Sequence, residues 1–227
     1  MKDDLSSADR AYEALREMAI GFDFKPGERL NESALSKTLA VSRTPLREAL
    51  NRLVAEGFLT VSPGRGFFCR ALSPGQVLEL YQIRSGLETE AVLRGIAQAD
   101  DSGIAALCAH LDATEETYAN CTDLPELLRM DEEFHMRLAG LSGNGELCRM
   151  LRNVYERIRY VRLINLRQLR SQPGSGEDRT AHRRIAEAVR ARDSAGAVEA
   201  LRRHIERRSE ETRDLVRLAY SELYVPD

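Results

Sequence analysis

The sequence predicts a mainly α-helical protein in which an N-terminal winged helix-turn-helix precedes an all-α antiparallel bundle of about six helices. Turn-forming residues concentrate at 21–31 and 57–75, whereas residues 76–225 show nearly continuous helical periodicity. With 43% hydrophobic and 30% charged residues, the 227-residue chain has enough apolar side chains for a packed core. We therefore expect two domains, residues 1–72 and residues 73–227.

Composition argues against several protein classes. No window approaches the roughly 18 consecutive apolar residues of a membrane span, and the N-terminal stretch is acidic and polar, unlike a signal peptide. We therefore expect a cytoplasmic protein without a membrane partner. The four cysteines are widely spaced and form no Cys-x-x-Cys pair, which is typical of reduced thiols and argues against a zinc knuckle.

The first domain contains three predicted helices followed by a β-hairpin. Apolar residues recur every three or four positions over residues 8–22, and a short second helix covers residues 32–39. Ser42 can cap the third helix, in which Pro45 occupies the first turn, where its missing N–H costs little. Two short strands around the turn at 62–66 then complete the arrangement of a winged helix.

One face of the third helix and the tip of the hairpin carry the residues that predict DNA binding. Residues 42–70 contain five arginines but only two acidic residues, so this stretch is basic although the net charge of the chain is −3. An Arg guanidinium can pair with guanine or clamp a phosphate, and an Asn amide can pair with adenine. The alternative to DNA binding is that these side chains form an ordinary charged surface that contacts only water. The predicted contacts are Arg43, Thr44, Arg47, Asn51, Arg65 and Gly66.

Inward-facing histidines distinguish the second domain. Asp131 and His135 fall on the apolar side of one helix, one turn apart, so that a carboxylate oxygen and an imidazole nitrogen can share a cation. His182 and His204 lie on or beside the apolar faces of later helices, whereas His110 lacks such company and is interpreted as structural. A lone inward histidine is usually a satisfied core residue, but burying three imidazoles and a carboxylate together is costly without a partner. A divalent ion of the Zn, Ni or Mn class would satisfy all four side chains.

Arg84 and Glu88 project from the apolar stripe of the first helix in this domain. An inward arginine needs an anionic partner, since an unpaired buried charge is costly. An intrahelical ion pair with Glu88, four residues further on, is one way to supply that partner.

The first domain resembles the DNA-binding domain of the GntR family of bacterial transcription regulators. The resemblance extends over residues 8–70 and rests on PGERL at 26–30, LAVSRTPLREAL at 39–50 and GRG at 64–66. It implies that operator DNA is contacted by Arg43, Thr44, Arg47 and Gly66.

The second domain is similar to the FCD effector domain, the helical ligand-binding half of the FadR-like branch of that family. The similarity runs from about residue 73 to residue 220 and includes Tyr81, Arg84 and Glu88 near its start. It implies a metal-binding signature formed by Asp131, His135, His182 and His204. It also implies that Arg84 binds the carboxylate of a small-molecule effector, because three imidazoles and a monodentate Asp leave two positions of an octahedral metal open.

These features together predict a ligand-responsive transcription regulator, specifically a repressor that a small organic acid releases from its operator. Since one winged helix contacts too few base pairs for specificity, we expect a homodimer on an inverted repeat. The rival hypothesis is a metal-dependent hydrolase-like enzyme fused to a DNA-binding domain, because three His and one Asp can also activate water. The sequence provides no clear general base beside the four ligands, so we predict that the protein is not an enzyme.

Overall fold

The computed structural model describes residues 6–171, 180–206 and 209–224. Among these residues the chain is mainly helical, with ten helices and one two-stranded sheet, which confirms the predicted fold class. None of the helices described in these ranges is both long and apolar enough to cross a membrane.

The chain forms two compact units. One comprises the residues up to Ser73 together with those from Val216 onward, and the other runs from Pro74 to Leu215. The last helix therefore contributes residues to both units. The distribution of turn-forming residues does not indicate that residues from Val216 onward belong to the first unit.

Three helices and a β-hairpin form the N-terminal part of the first unit. Their bounds are α1 Ser7–Gly21, α2 Glu32–Thr38, α3 Arg43–Ala55, β1 Leu59–Ser62 and β2 Gly66–Cys69. The side chains of Ser6 and Asn31 accept hydrogen bonds from the first backbone N–H groups of α1 and α2. Ser42 occupies the N-cap of α3 in an extended conformation, but its side chain makes no capping hydrogen bond.

Burial of the apolar face of α3 fixes the direction in which the polar face of the helix points. The helix packs against α1 and β1, and its Leu46, Leu50 and Leu53 are fully buried. Each such leucine stabilises the unit by roughly 1.5–3 kcal/mol through removal of its side chain from water. The polar residues between these leucines remain on the outside.

The hairpin is a tight antiparallel pair, in which Leu59 lies opposite Cys69 and Ser62 lies opposite Gly66. Gly64 and Gly66 have φ angles of 72° and 92°, a region that favours glycine because it lacks a Cβ atom. The turn between the strands therefore depends on both glycines.

Seven helices follow the hairpin in the part of the chain that the structure describes, where the sequence predicts about six. Their bounds are α4 Pro74–Gln98, α5 Asp101–Asn120, α6 Leu124–Gly140, α7 Gly145–Ser171, α8 Ala181–Arg190, α9 Ser194–Ile205 and α10 Ser209–Tyr224. The extra helix arises because the expected final helix is divided between α9 and α10. The predicted turn at residues 172–176 lies outside the described residues.

The main core of the second unit is shared by five of these helices. Apolar side chains of α4, α5, α6, α8 and α9 form one buried cluster, which includes Phe134 and Leu138 of α6, Ile185 of α8 and Leu201 of α9. This packing fixes α6, α8 and α9 in one bundle. The polar side chains on their inner faces are thereby brought close together.

Candidate metal centre and nucleic-acid interface

Four metal-ligating side chains converge from α6, α8 and α9. Asp131 and His135 lie one turn apart on α6, His182 lies in the first turn of α8 and His204 in the last turn of α9. One donor atom from each residue lies within 4.8 Å of the other three. The first three side chains are buried, and His204 is partly exposed. The four predicted ligands thus form a candidate metal-binding cluster.

Two of the distances among the donor atoms suit one divalent ion, whereas Asp131 Oδ1 lies farther from His204 Nε2 and from His135 Nε2, at 3.8 Å and 4.0 Å. The Nε2 atoms of His182 and His204 are 3.2 Å apart, and Asp131 Oδ1 lies 3.3 Å from His182 Nε2. Two ligand atoms at about 2.1 Å from one ion lie roughly 3.0–3.4 Å apart when they subtend about 90–110°. The Nε2 atom of His135 is buried and makes no hydrogen bond with any described residue. A divalent ion would give this nitrogen the partner it lacks.

Neighbouring aromatic and acidic groups fix the imidazole rings. The ring of Phe134 stacks on His182 with 4.2 Å between the ring centres. His135 is fully buried, and its Nδ1 atom lies 2.7 Å from Oε2 of Glu88 on α4. His135 is therefore held at Nδ1, the ring nitrogen opposite the converging Nε2 atom, as is usual for metal-ligating histidines, whereas His182 is held through the face of its ring.

Burial and neighbouring charges favour the metal-binding protonation states of Asp131, His135 and His204. Burial lowers the pKa of His135 and outweighs the opposing charge of Glu88. Burial also lowers the pKa of His204 to about 3, although its hydrogen bond with Asp131 opposes the shift. Burial would raise the pKa of Asp131, but the Arg162 guanidinium and the imidazoles hold that pKa well below its usual value. Neutral imidazoles and an ionised carboxylate are the forms that coordinate a cation.

Sequence reasoning missed two buried residues of α7, Tyr155 and Arg162. The Arg162 guanidinium contacts Oδ2 of Asp131, whereas Oδ1 of the same carboxylate faces the imidazoles. Arg162 also lies 3.3 Å from Glu132 and 5.3 Å from the centre of the Tyr155 ring. Tyr155, Ile158 and Arg162 follow the spacing of one helix face, so the periodicity of α7 contains a signal for the inward position of Arg162.

Arg84 is buried on α4, as its place in the apolar stripe predicts. Its Nε atom donates a hydrogen bond to Oε1 of Glu88 over 2.6 Å, so the intrahelical pair that the sequence offered is present. The guanidinium carbon lies 4.9 Å from the centre of the Tyr155 ring. The Nη2 atom is buried and makes no hydrogen bond with any residue in the described ranges. This nitrogen is available to an anionic ligand.

The residues predicted to contact DNA lie on α3 and at the hairpin turn. Those whose side chains are exposed are Arg43, Thr44, Arg47, Asn51 and Arg65. Gly66 is half-buried at the start of β2. The guanidinium of Arg65 lies 5.5 Å from the centre of the Phe68 ring. These positions suit a protein–DNA interface, and the contacts themselves stay a prediction.

Other candidate ligands do not join the metal cluster. His110 lies on α5 with its Nε2 atom 4.0 Å from a carboxylate oxygen of Glu133, and burial lowers its pKa. The four cysteines are free thiols. Within the described ranges, the candidate metal-ligating groups are thus confined to the cluster of Asp131 and the three histidines.

Comparison with known proteins matches both units to described families. A family described as bacterial regulatory proteins, gntR family, matches residues 7–69, and the FCD domain family matches residues 79–207. The Nta operon transcriptional regulator of Aminobacter aminovorans is 40% identical over 91% of this chain and 95% of its own length. The transcriptional repressor GlaR of Escherichia coli K12 is 30% identical over 86% of this chain and 90% of its own.

Solved structures agree with these matches. A transcriptional regulator from Rhodococcus sp. RHA1 is 25% identical, with a TM-score of 0.67 over 93% of this chain and 98% of that one. The McbR/YncC protein of E. coli is 24% identical, with a TM-score of 0.64 over 96% and 99% of the two chains. The second comparison supports the fold alone.

Proposed function

Because the chain belongs to the GntR family of bacterial regulatory proteins and carries an FCD domain, we propose that it is a repressor that a small organic acid releases from operator DNA. The family consists of transcription regulators, so the prediction that the protein is not an enzyme is confirmed. The observation that carries the finer proposal is the buried cluster of four ligand side chains in the same chain as a winged helix. The protein would act on chromosomal DNA in the cytoplasm.

The DNA-binding part of the proposal rests on the exposed face of α3. Arg43, Arg47 and Asn51 are exposed there, and Arg65 is exposed in the hairpin turn. Side chains of this kind contact base edges in the major groove, and a basic hairpin tip contacts phosphate. The protein acts as a homodimer on an inverted repeat, because two half-sites supply the base contacts that one winged helix lacks.

The effector-binding part rests on the candidate metal-binding cluster and Arg84. Asp131, His135, His182 and His204 would hold the ion, which when bound supplies positive charge and open coordination positions for a carboxylate. The buried Nη2 atom of Arg84 provides an N–H donor for the same anion. The cluster and Arg84 thus form a site of complementary charge for a small organic acid, and the Nη2 atom of Arg84 makes no hydrogen bond with any described residue.

Chain connectivity links the effector site to the hairpin. Helix α4, which carries Arg84, begins at Pro74, and β2 ends at Cys69. An anion that draws Arg84 toward the ion changes the pose of α4, and the short segment between Cys69 and Pro74 transmits this change. The name of GlaR, a repressor related to this chain, supports repression as the mode of regulation.

Calorimetric titration of the dimer tests the proposal. An operator is first selected from random duplexes, and organic acids are screened by their effect on the melting temperature of the Zn²⁺-loaded protein. The affinity for the effector is then measured with and without operator. Thermodynamic linkage requires operator DNA and effector to weaken each other by the same factor, about 5- to 150-fold.

Two α4 variants separate the effector site from general charge effects. Arg84→Ala abolishes the response to the effector, because the buried Arg84 guanidinium is the proposed hydrogen-bond donor to the effector anion. Arg94→Ala on the same helix keeps the response, since Arg94 is exposed and lies 3.8 Å from Glu90. Equal effector affinity in the presence and absence of operator, or a full response in Arg84→Ala, would contradict the proposal.

A further inference from the structure

Glu88 joins the metal cluster to Arg84 through one buried carboxylate. Its Oε2 atom lies 2.7 Å from His135 Nδ1 on α6. Its Oε1 atom accepts hydrogen bonds from Arg84 Nε over 2.6 Å and from the Tyr155 hydroxyl over 2.7 Å. Glu88 is only 1% exposed. Three helices, α4, α6 and α7, therefore meet at this carboxylate.

The charge state of Glu88 determines which nitrogen of His135 carries the proton. The carboxylate is paired with the permanently charged Arg84 guanidinium and accepts a second hydrogen bond from the Tyr155 hydroxyl at the same oxygen, so Glu88 is ionised. An ionised carboxylate has only acceptors, so the proton of the Glu88–His135 hydrogen bond lies on Nδ1. The Nε2 atom then keeps its lone pair, and it is the atom that faces the cluster without a hydrogen bond.

We propose that Glu88 is the positioning residue of this site, holding His135 Nε2 open to a divalent ion and Arg84 Nη2 open to the effector anion. This inference rests on the proposed function of the cluster. It assigns to one side chain on α4 the alignment of both a metal ligand and the anion-binding arginine. The orientation of the His135 ring and that of the Arg84 guanidinium therefore depend on hydrogen bonds to the same Glu88 carboxylate.

Replacement of Glu88 by Gln tests the tautomer directly. The Gln amide has one acceptor oxygen and one NH₂ group, which donates only. Arg84 Nε–H cannot accept a hydrogen bond, so the amide oxygen must face Arg84 and the NH₂ group must face His135 Nδ1. His135 then carries its proton on Nε2, and this proton blocks the atom that would bind metal. Side-chain volume changes little in this substitution.

The affinity for Zn²⁺ is measured by competition with a chromophoric chelator on the full-length dimer. We expect Glu88→Gln to weaken Zn²⁺ binding about 10- to 100-fold, as is typical for loss of a carboxylate behind a metal-bound histidine. Glu90→Gln is the matched control, because Glu90 is exposed on the same helix. Gly95→Ala controls for destabilisation, because it crowds the same helix against Leu141 and leaves the hydrogen bonds of Glu88 intact. Both controls keep the Zn²⁺ affinity within about threefold.

Nitrogen-15 NMR of the His135 ring in the wild-type protein gives a readout that does not depend on a variant. We expect a protonated Nδ1 before and after addition of Zn²⁺, and a protonated Nε2 in metal-free Glu88→Gln. An Nε2–H tautomer in the wild type, or an unchanged Zn²⁺ affinity in Glu88→Gln, would overturn the role of Glu88 while leaving the proposed function intact. If the wild type binds no Zn²⁺, both the metal part of the proposed function and the role of Glu88 are wrong.

Discussion

The Nε atom of Arg47 lies 3.3 Å from a carboxylate oxygen of Glu32, so an acidic residue at the start of α2 pairs with a predicted DNA contact of α3. The Arg47 side chain is 59% exposed and that of Glu32 is 30% exposed. An ion pair in such a setting contributes about 0–1 kcal/mol. If Arg47 contacts DNA as predicted, DNA must replace Glu32 as the partner of its guanidinium, and a pair of this strength is weak enough to be replaced.

Removal of the Glu32 charge should strengthen DNA binding. We expect Glu32→Gln to raise operator affinity about two- to fivefold, the equivalent of a surface ion pair of up to ~1 kcal/mol. Fluorescence anisotropy with a labelled operator measures the change. Glu13→Gln, which removes an exposed charge from α1, is the control for net charge. An equal gain in both variants would show that Arg47 is not held by Glu32 in solution.

Arg47 and Arg65 should contribute to DNA binding in different ways. Arg47→Ala should cost about 1–3 kcal/mol on the operator and relax sequence preference, because a helix arginine can pair with a base edge. Arg65→Ala should weaken binding to operator and random duplex alike and flatten the salt dependence, because a hairpin arginine contacts phosphate. Filter binding at several salt concentrations distinguishes the two. Wild-type behaviour of both variants would refute the predicted interface.

The protein should bind about one divalent ion per chain. Alanine at Asp131, His135, His182 or His204 should abolish binding, and chelator should lower the melting temperature of the wild type, because an ion bound only to the folded state stabilises that state. Mass spectrometry of the intact protein counts the ions. His110→Ala should retain the ion, since His110 lies outside the cluster. A wild type that takes up no ion on titration would contradict this prediction.

Two glycines of α4 should respond oppositely to alanine. A Cβ atom on Gly95 would lie 2.9 Å from the Cβ atom of Leu141, whereas a Cβ atom on Gly86 would meet nothing within 4 Å. Both substitutions gain the same helix propensity, so their difference isolates the packing cost. We expect Gly95→Ala to be less stable than Gly86→Ala by about 1–3 kcal/mol. Urea unfolding measures both, and equal stability of the two variants would show that the α4 contact with Leu141 is loose.

Alkaline pH should destabilise the N-terminal unit through Tyr12. The Tyr12 hydroxyl donates hydrogen bonds to the Glu56 carboxylate, and burial followed by this hydrogen bond raises the pKa of Tyr12 to about 12. In the unfolded chain the Tyr12 hydroxyl loses its proton near pH 10. The contribution of this hydroxyl to the free energy of unfolding is therefore fully present below pH 10 and is lost as the pH rises from 10 to 12. The loss should be about 1–2 kcal/mol. Tyr12→Phe should make this decline shallower in urea midpoints between pH 9 and pH 11, and the buried Cys69 thiol, whose pKa burial raises to about 11, accounts for part of what remains.

Local sequence signals predicted most elements because each depends on residues close in the chain. The glycines at 64 and 66 and the apolar spacing of α3 specify the hairpin and its preceding helix. The division between α9 and α10 was not predicted, since no Gly or Pro lies between Ile205 and Ser209. A helix end without such residues depends on tertiary packing rather than on local propensity.

The sequence by itself determined which side chains face inward, because helical periodicity places Asp131, His135, His182 and Arg84 on apolar faces. Only the tertiary structure decided which of them meet. Glu88 contacts His135 across 47 positions of sequence, and Arg162 contacts Asp131 across 31. Periodicity describes one helix at a time, whereas such contacts depend on how helices pack together and on the need of each buried charge for a partner.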